Sequence, residues 1–169
     1  MITKGFIEKL NETITVEGQN LMTEFFITFS RFECALKASN FANGDNDRVT
    51  ANWDTFIASI SKAFNLDKTE ELKTAVDYLI QNPPRVQSLD NGKLSWRDRN
   101  FQLNAPLINK LSLSIRDVRN NLFHGGKFNG NYQKDISRNF ILLKNSIIIL
   151  NKWLELSDIV RQNYLTPIS

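Results

Sequence analysis

The chain has 169 residues, the size of one domain, and its net charge of +3 tolerates a polyanionic partner without the basic stripe of a dedicated nucleic-acid clamp. A hydrophobic fraction of 41% with twelve Phe and three Trp is enough to fill a sizeable core, which argues against a disordered chain. The single cysteine, Cys34, excludes an intrachain disulfide and a cysteine-rich metal site.

Seven Gly and four Pro are few, so long regular elements are expected. Residues 1–6 lack the apolar core of a signal peptide. The most apolar stretch, residues 136–154, is broken by Lys144, Asn145, Asn151 and Lys152 and does not read as a membrane span. The expectation is a cytoplasmic protein in a reducing environment, with no membrane partner.

In chain order, a short helix is expected over residues 6–14. The strongest helical pattern comes next, over 17–41, where Met22, Phe25, Phe29, Phe32 and Leu36 recur at steps of three and four. Phe41-Ala42-Asn43-Gly44-Asp45 then reads as a stop and a loop. Thr50 is the expected cap of a helix containing Trp53, Phe56, Ile57, Ile60 and Phe64. Another helix is predicted over 68–82, with Leu72, Val76, Leu79 and Ile80 inward and Pro83-Pro84 as its stop.

Residues 85–103 break the helical rhythm. Asp90-Asn91-Gly92 separates runs containing Val86, Leu89, Leu94 and Trp96, which predicts a small hairpin or an ordered loop inserted before the next helix. Asn104 is the expected cap of a helix reaching Phe123, and Gly125-Gly126 its stop. A last helix is expected over 134–163, with Ile136, Phe140, Leu143, Ile147, Leu150 and Leu154 on one side. Ile141, Ile148 and Trp153 widen its apolar surface, so it lies either at the centre of the fold or in an oligomer interface. The sum is an all-α, single-domain antiparallel helical bundle.

Two charges interrupt apolar stripes. On a wheel of about 100° per residue, Arg119 falls roughly 40° from Ile115, the centre of its helix's stripe, and Glu33 falls roughly 40° from Phe29. An unpaired buried charge is costly. Either Glu33 and Arg119 meet across the helix interface, with Glu33 orienting the guanidinium, or both reach the edge of the bundle. His124 is the chain's sole histidine. It either caps the helix C-terminus or uses the Gly pair to turn back beside Arg119.

The run Val118-Arg119-Asn120-Asn121-Leu122-Phe123-His124-Gly125-Gly126-Lys127 resembles the signature of HEPN domains, an Arg followed a few residues later by a His, with a polar residue directly after the Arg. The placement near the end of a late helix, followed by one terminal helix, is similar too, and the Arg31-Phe32-Glu33 helix resembles the family's acidic helix. The resemblance implies a helical bundle that dimerises with two motifs facing one cleft. It further implies a metal-independent endoribonuclease without cofactor, acting as a toxin or defence effector that an antitoxin or regulatory protein controls. Some members of the family are instead non-catalytic modules that bind a nucleotide, RNA or a partner protein.

The residues suit that chemistry. Metal-free RNA cleavage needs a base, an acid and a cation for the phosphorane charge. His titrates near neutrality, and Arg binds phosphate through two parallel hydrogen bonds. Arg119, Asn120 and His124 are the expected catalytic residues and Glu33 a supporting one. One histidine per chain makes a homodimer part of the mechanism. Lys127, Arg97, Arg99 and Trp96 are the candidate RNA contacts, Trp96 by stacking unless the core takes it.

Overall fold

The computed structural model describes residues 2–123 and 136–166. Within them the chain is mostly helical, with two small two-stranded sheets. In chain order it runs α1 (Ile2–Thr13), α2 (Val16–Ala38), β1 (Ala42–Gly44), β2 (Val49–Ala51), α3 (Trp53–Ile60), a 3-10 turn (Leu66–Lys68), α4 (Glu70–Gln81), β3 (Val86–Asp90), β4 (Lys93–Arg97), α5 (Leu107–Phe123), α6 (Ile136–Glu155) and α7 (Asp158–Leu165).

Thr15 caps α2 through its hydroxyl, which accepts from the Gly18 amide at 3.2 Å. The helix closes at Asn40, whose φ of 65° turns the chain left-handed while the Phe41 amide bonds back to the Leu36 carbonyl. Beyond it the chain forms a hairpin rather than the expected loop. Asp45 Oδ1 accepts from the amides of Asp47 and Arg48 at 2.9 and 3.0 Å, which folds the turn. Gly44 has a φ of 147°, and a Cβ there would sit 1.9 Å from the Arg48 carbonyl oxygen. Thr50 consequently lies in β2, and Asn52 takes the capping role expected of it by accepting from the Thr55 amide at 3.1 Å.

Thr69 caps α4, with Glu70 and Glu71 in the favourable first turn. The second hairpin matches its expectation. Asn91 and Gly92 take φ values of 48° and 75°, both positive as a two-residue turn of this hand requires, and pair β3 with β4 from Val86↔Arg97 to Asp90↔Lys93. Asn104 does not cap α5. The helix begins at Leu107, and the Pro106 carbonyl takes its first amides, from Asn109 and Lys110.

The expected last helix is two. Beyond Glu155 the chain tightens, with the Leu156 and Ser157 amides reaching back only three residues, and α7 leaves in a new direction to pack on α2. Arg31 holds it there: one guanidinium nitrogen donates to the carbonyls of Asn163, Tyr164 and Thr166 at 3.1, 2.7 and 3.0 Å. These are the orphan acceptors of a helix C-terminus. Arg138 does the same for the end of α4, donating to the Pro83 carbonyl at 2.8 Å.

The core is one cluster in which α6 meets α2, α4, α5 and α7, so its wide apolar surface is explained by a central position. Trp153 is fully buried against the edges of Phe56 and Phe64. Gly18 lets α6 approach the start of α2: a Cβ there would lie 2.1 Å from the Phe140 ring. Gly18→Ala gains helix propensity of about 1 kcal/mol but overpacks this crossing by about 1–3 kcal/mol. The expected outcome is a net loss of roughly 1 kcal/mol in urea denaturation, with part of it recovered when Phe140→Leu is added.

Candidate functional site

Three sides of α5 do three different things. Ile108, Leu111, Ile115 and Val118 enter the core. Asp117 and Asn121, one turn apart and both buried, face the second hairpin. Arg116, Arg119 and Asn120 line a polar cavity of about 420 Å³. Its other walls are Phe29 and Glu33 of α2, Asn43, Thr50 and Ala51 of the first hairpin, and Asn52, Trp53 and Asp54 at the start of α3.

An aromatic ladder sets the positions of Arg119 and Glu33. The Trp53 indole stacks on Phe32 and Phe29 with centroids 5.3 and 5.4 Å away, and its N–H donates to Glu33 Oε1 at 3.1 Å. The Arg119 guanidinium lies between rings, its carbon 5.8 Å from the centroid of Phe29 and 5.2 Å from that of Phe123, which itself stacks on Phe26. Arg119 Nη1 donates to Asn120 Oδ1 at 2.9 Å. Of the two arrangements expected for Glu33 and Arg119, the ion pair is not formed: among the described residues none joins them within 4.0 Å, and both are half-buried. The indole satisfies the carboxylate, and aromatic faces and a neighbouring amide satisfy the guanidinium, so the two share one cavity without touching.

Arg99, a candidate RNA contact, is the partner of Asp117, with Nε on Oδ2 at 2.6 Å and Nη2 on Oδ1 at 2.5 Å, and does not line the cavity. Asn121 adds a second tie, its Nδ2 donating to the Arg85 carbonyl at 2.7 Å, so α5 grips both ends of the hairpin. Trp96 is half-buried on β4 and Arg97 exposed beside it, and neither lines the cavity. His124 and Lys127 lie outside the described residues.

Sequence reasoning missed Arg116. Its guanidinium makes no hydrogen bond or ion pair among the described residues, although it stands on the same wall as Arg119. The signal was present as an Arg at i−3 from the motif arginine, but spacing alone does not separate it from a solvated surface charge. Among the described residues no three His, Cys, Asp or Glu side chains gather closely enough to hold a metal ion. No helix there is long and apolar enough to cross a membrane. Compared with protein-family models, curated proteins and solved structures, the chain finds no match.

Burial pushes the Asp117 carboxyl above its usual 3.8, and the hydrogen bond and charge of Arg99 pull it part of the way back. Truncating one partner of so buried a pair strands the other charge. Asp117→Ala and Arg99→Ala are each expected to cost about 3 kcal/mol in urea denaturation, and the double Arg99→Met/Asp117→Leu variant to recover most of it. A carboxyl whose folded pKa exceeds its unfolded value binds its proton first in the folded state. The stability of the wild type relative to Asp117→Asn is therefore expected to rise as pH falls through the raised value toward 3.8, and to be flat above it, in matched denaturation curves.

Proposed function

We propose that the chain is a HEPN-type helical bundle acting as a metal-independent endoribonuclease, in which Arg119, Asn120 and His124 form the reacting centre. One observation carries the reading. Arg119 and Asn120 are hydrogen-bonded neighbours that open onto a polar cavity at the C-terminal end of α5, immediately before the sole histidine.

These groups supply the chemistry. A neutral imidazole takes the proton of a ribose 2′-hydroxyl as that oxygen attacks the adjacent phosphorus. The bond from phosphorus to the 5′-oxygen breaks, and that oxygen receives a proton from an acid, leaving a 2′,3′-cyclic phosphate and a 5′-hydroxyl. Arg119 stabilises the charge that builds on the non-bridging oxygens, and its planar fork suits a phosphate. The rings of Phe29 and Phe123 and the Asn120 side-chain oxygen hold that fork before substrate arrives, so little freedom is lost on binding.

One histidine supplies one proton-transfer group, and a second chain supplies the other. A shallow apolar depression of about 290 Å³ formed by Met22, Phe26, Leu122 and Phe123 adjoins the site, with Phe26 and Phe123 each nearly half exposed. Large exposed rings beside a reacting centre support a two-chain arrangement over an isolated monomer. A toxin or defence role held in check by an antitoxin or regulatory protein belongs to the same proposal. The alternative, a non-catalytic module binding a nucleotide, RNA or a partner protein, is favoured by one observation: Glu33 serves Trp53 rather than Arg119.

Purified protein incubated with transfer RNA and mixed RNA in EDTA tests the proposal. Cleavage leaving cyclic-phosphate ends is expected, with Arg119→Ala and His124→Ala each reducing the rate by at least about a hundredfold. Light scattering is expected to report a dimer. Intact RNA, or cleavage that survives both substitutions, would sink the catalytic reading and leave the binding module.

A further inference from the structure

The cavity holds opposite charges that do not neutralise each other. Arg116 and Arg119 stand on the α5 wall, and Glu33 and Asp54 on the walls formed by α2 and α3. Among the described residues no ion pair within 4.0 Å crosses between them. The internal commitments of these four groups differ. Glu33 accepts from Trp53, and Arg119 donates to Asn120. Arg116 and Asp54 make no hydrogen bond or ion pair among the described residues.

Asp117 adjoins Arg116 in sequence but lies on the other flank of α5. There Arg99 holds both of its oxygens beside the hairpin. Two like charges at i, i+3 on one helix repel mildly, and among the described residues no carboxylate forms an ion pair with either within 4.0 Å. Such a wall suits an anion, and the opposite wall suits a hydrogen-bond donor.

We infer that the cavity seats one nucleotide of an RNA strand, its phosphate on Arg116 and Arg119 and its base edge on Asp54, with guanine the base that fits. The inference rests on the RNA reading of the site and adds the substrate's identity to it. An ionised carboxylate only accepts. Guanine presents two adjacent donors, N1–H and the 2-amino group, that meet the two oxygens of one carboxylate. Adenine and cytosine each offer an amino group beside a ring acceptor, which a carboxylate repels. Uracil offers a single N–H between two carbonyls. Single-stranded RNA is the form whose base edges are free to be read in this way. Arg116 thereby becomes a binding residue and Asp54 a specificity residue, and neither is needed to move a proton.

The test uses short fluorescent 2′-O-methyl oligouridines carrying a single variable base, which lack the attacking hydroxyl and are not cleaved. Fluorescence anisotropy with the full chain is expected to show the guanine oligomer bound about tenfold more tightly than the uracil one. Asp54→Asn exchanges one acceptor for a donor and is expected to level the four oligomers, while Asp54→Glu keeps the preference. Arg116→Ala is expected to weaken all four alike and to lower the slope of log Kd against log salt by about one. Thermal melts matching the wild type show that each variant is folded. A guanine preference that survives Asp54→Asn, an Arg116→Ala protein with wild-type affinity and slope, or no binding of any oligomer overturns the inference. Absent cleavage in EDTA alongside guanine-selective binding overturns the catalytic proposal alone.

Discussion

The bidentate contact between Arg99 and Asp117 is the interaction on which the site depends. Asp117 is 7% exposed and sits on α5 between two arginines, one residue from Arg116 and two from Arg119. Its helical phase turns it away from both, toward the second hairpin. Arg99 enters from just beyond β4 and takes both oxygens, so the only strongly buried carboxylate near the arginines among the described residues is spent on the hairpin. The inserted segment thus acts on the site without lining it. Its base is fixed to α5 by this pair and by Asn121, and Asp117 forms no ion pair with either cavity arginine.

Burying that pair has an energetic cost that the fold offsets elsewhere. Desolvation dominates the Asp117 carboxyl even with an arginine on it, so the contact is worth less than its short distances suggest. Its value is positional. The aromatic ladder from Phe26 through Phe123, Arg119 and Phe29 to Trp53 and Phe32 plays the complementary part on the other side of α5. It uses ring faces, which attract a cation without neutralising it. A carboxylate in place of those rings would also hold Arg119 but would neutralise its charge.

The helices were legible because their apolar residues repeat at 3.6, and the second hairpin because Asn91-Gly92 is a turn with a specific backbone demand. The first hairpin was not. Its strands have three residues each, mostly exposed, with no alternation to detect, and its turn depends on Asp45 bonding two amides of its own loop. The break between α6 and α7 was hidden for the opposite reason. Apolar residues continue through Leu154, Leu156 and Val160 while the chain turns, and what ties the far end of α7 to α2 is Arg31, over a hundred residues away. The site divides in the same way. That Arg119 and Glu33 were misplaced charges was readable from their helical phases, but their partners are rings and an indole brought from other elements. A wheel shows that a charge needs company and is silent on whose.

The same limit explains why Arg99 stood among the candidate RNA contacts while Arg116 was passed over. Arg99 stands in a loop beside Trp96 and Arg97, where a basic cluster with an aromatic reads as a nucleic-acid contact. Arg116 stands mid-helix, where an arginine reads as solubilising. The difference between them is which one meets a carboxylate with good geometry, and that is decided by tertiary packing. Asp117 pairs with Arg99, and Arg116 acts on it only through its charge, with no hydrogen bond. Which arginine pairs with Asp117 therefore follows from the direction in which Asp117 points, and the helical phase of residues 116, 117, 119, 120 and 121 sets that direction. With Ile115 and Val118 in the core, Asp117 and Asn121 share one flank, while Arg116, Arg119 and Asn120 share the other.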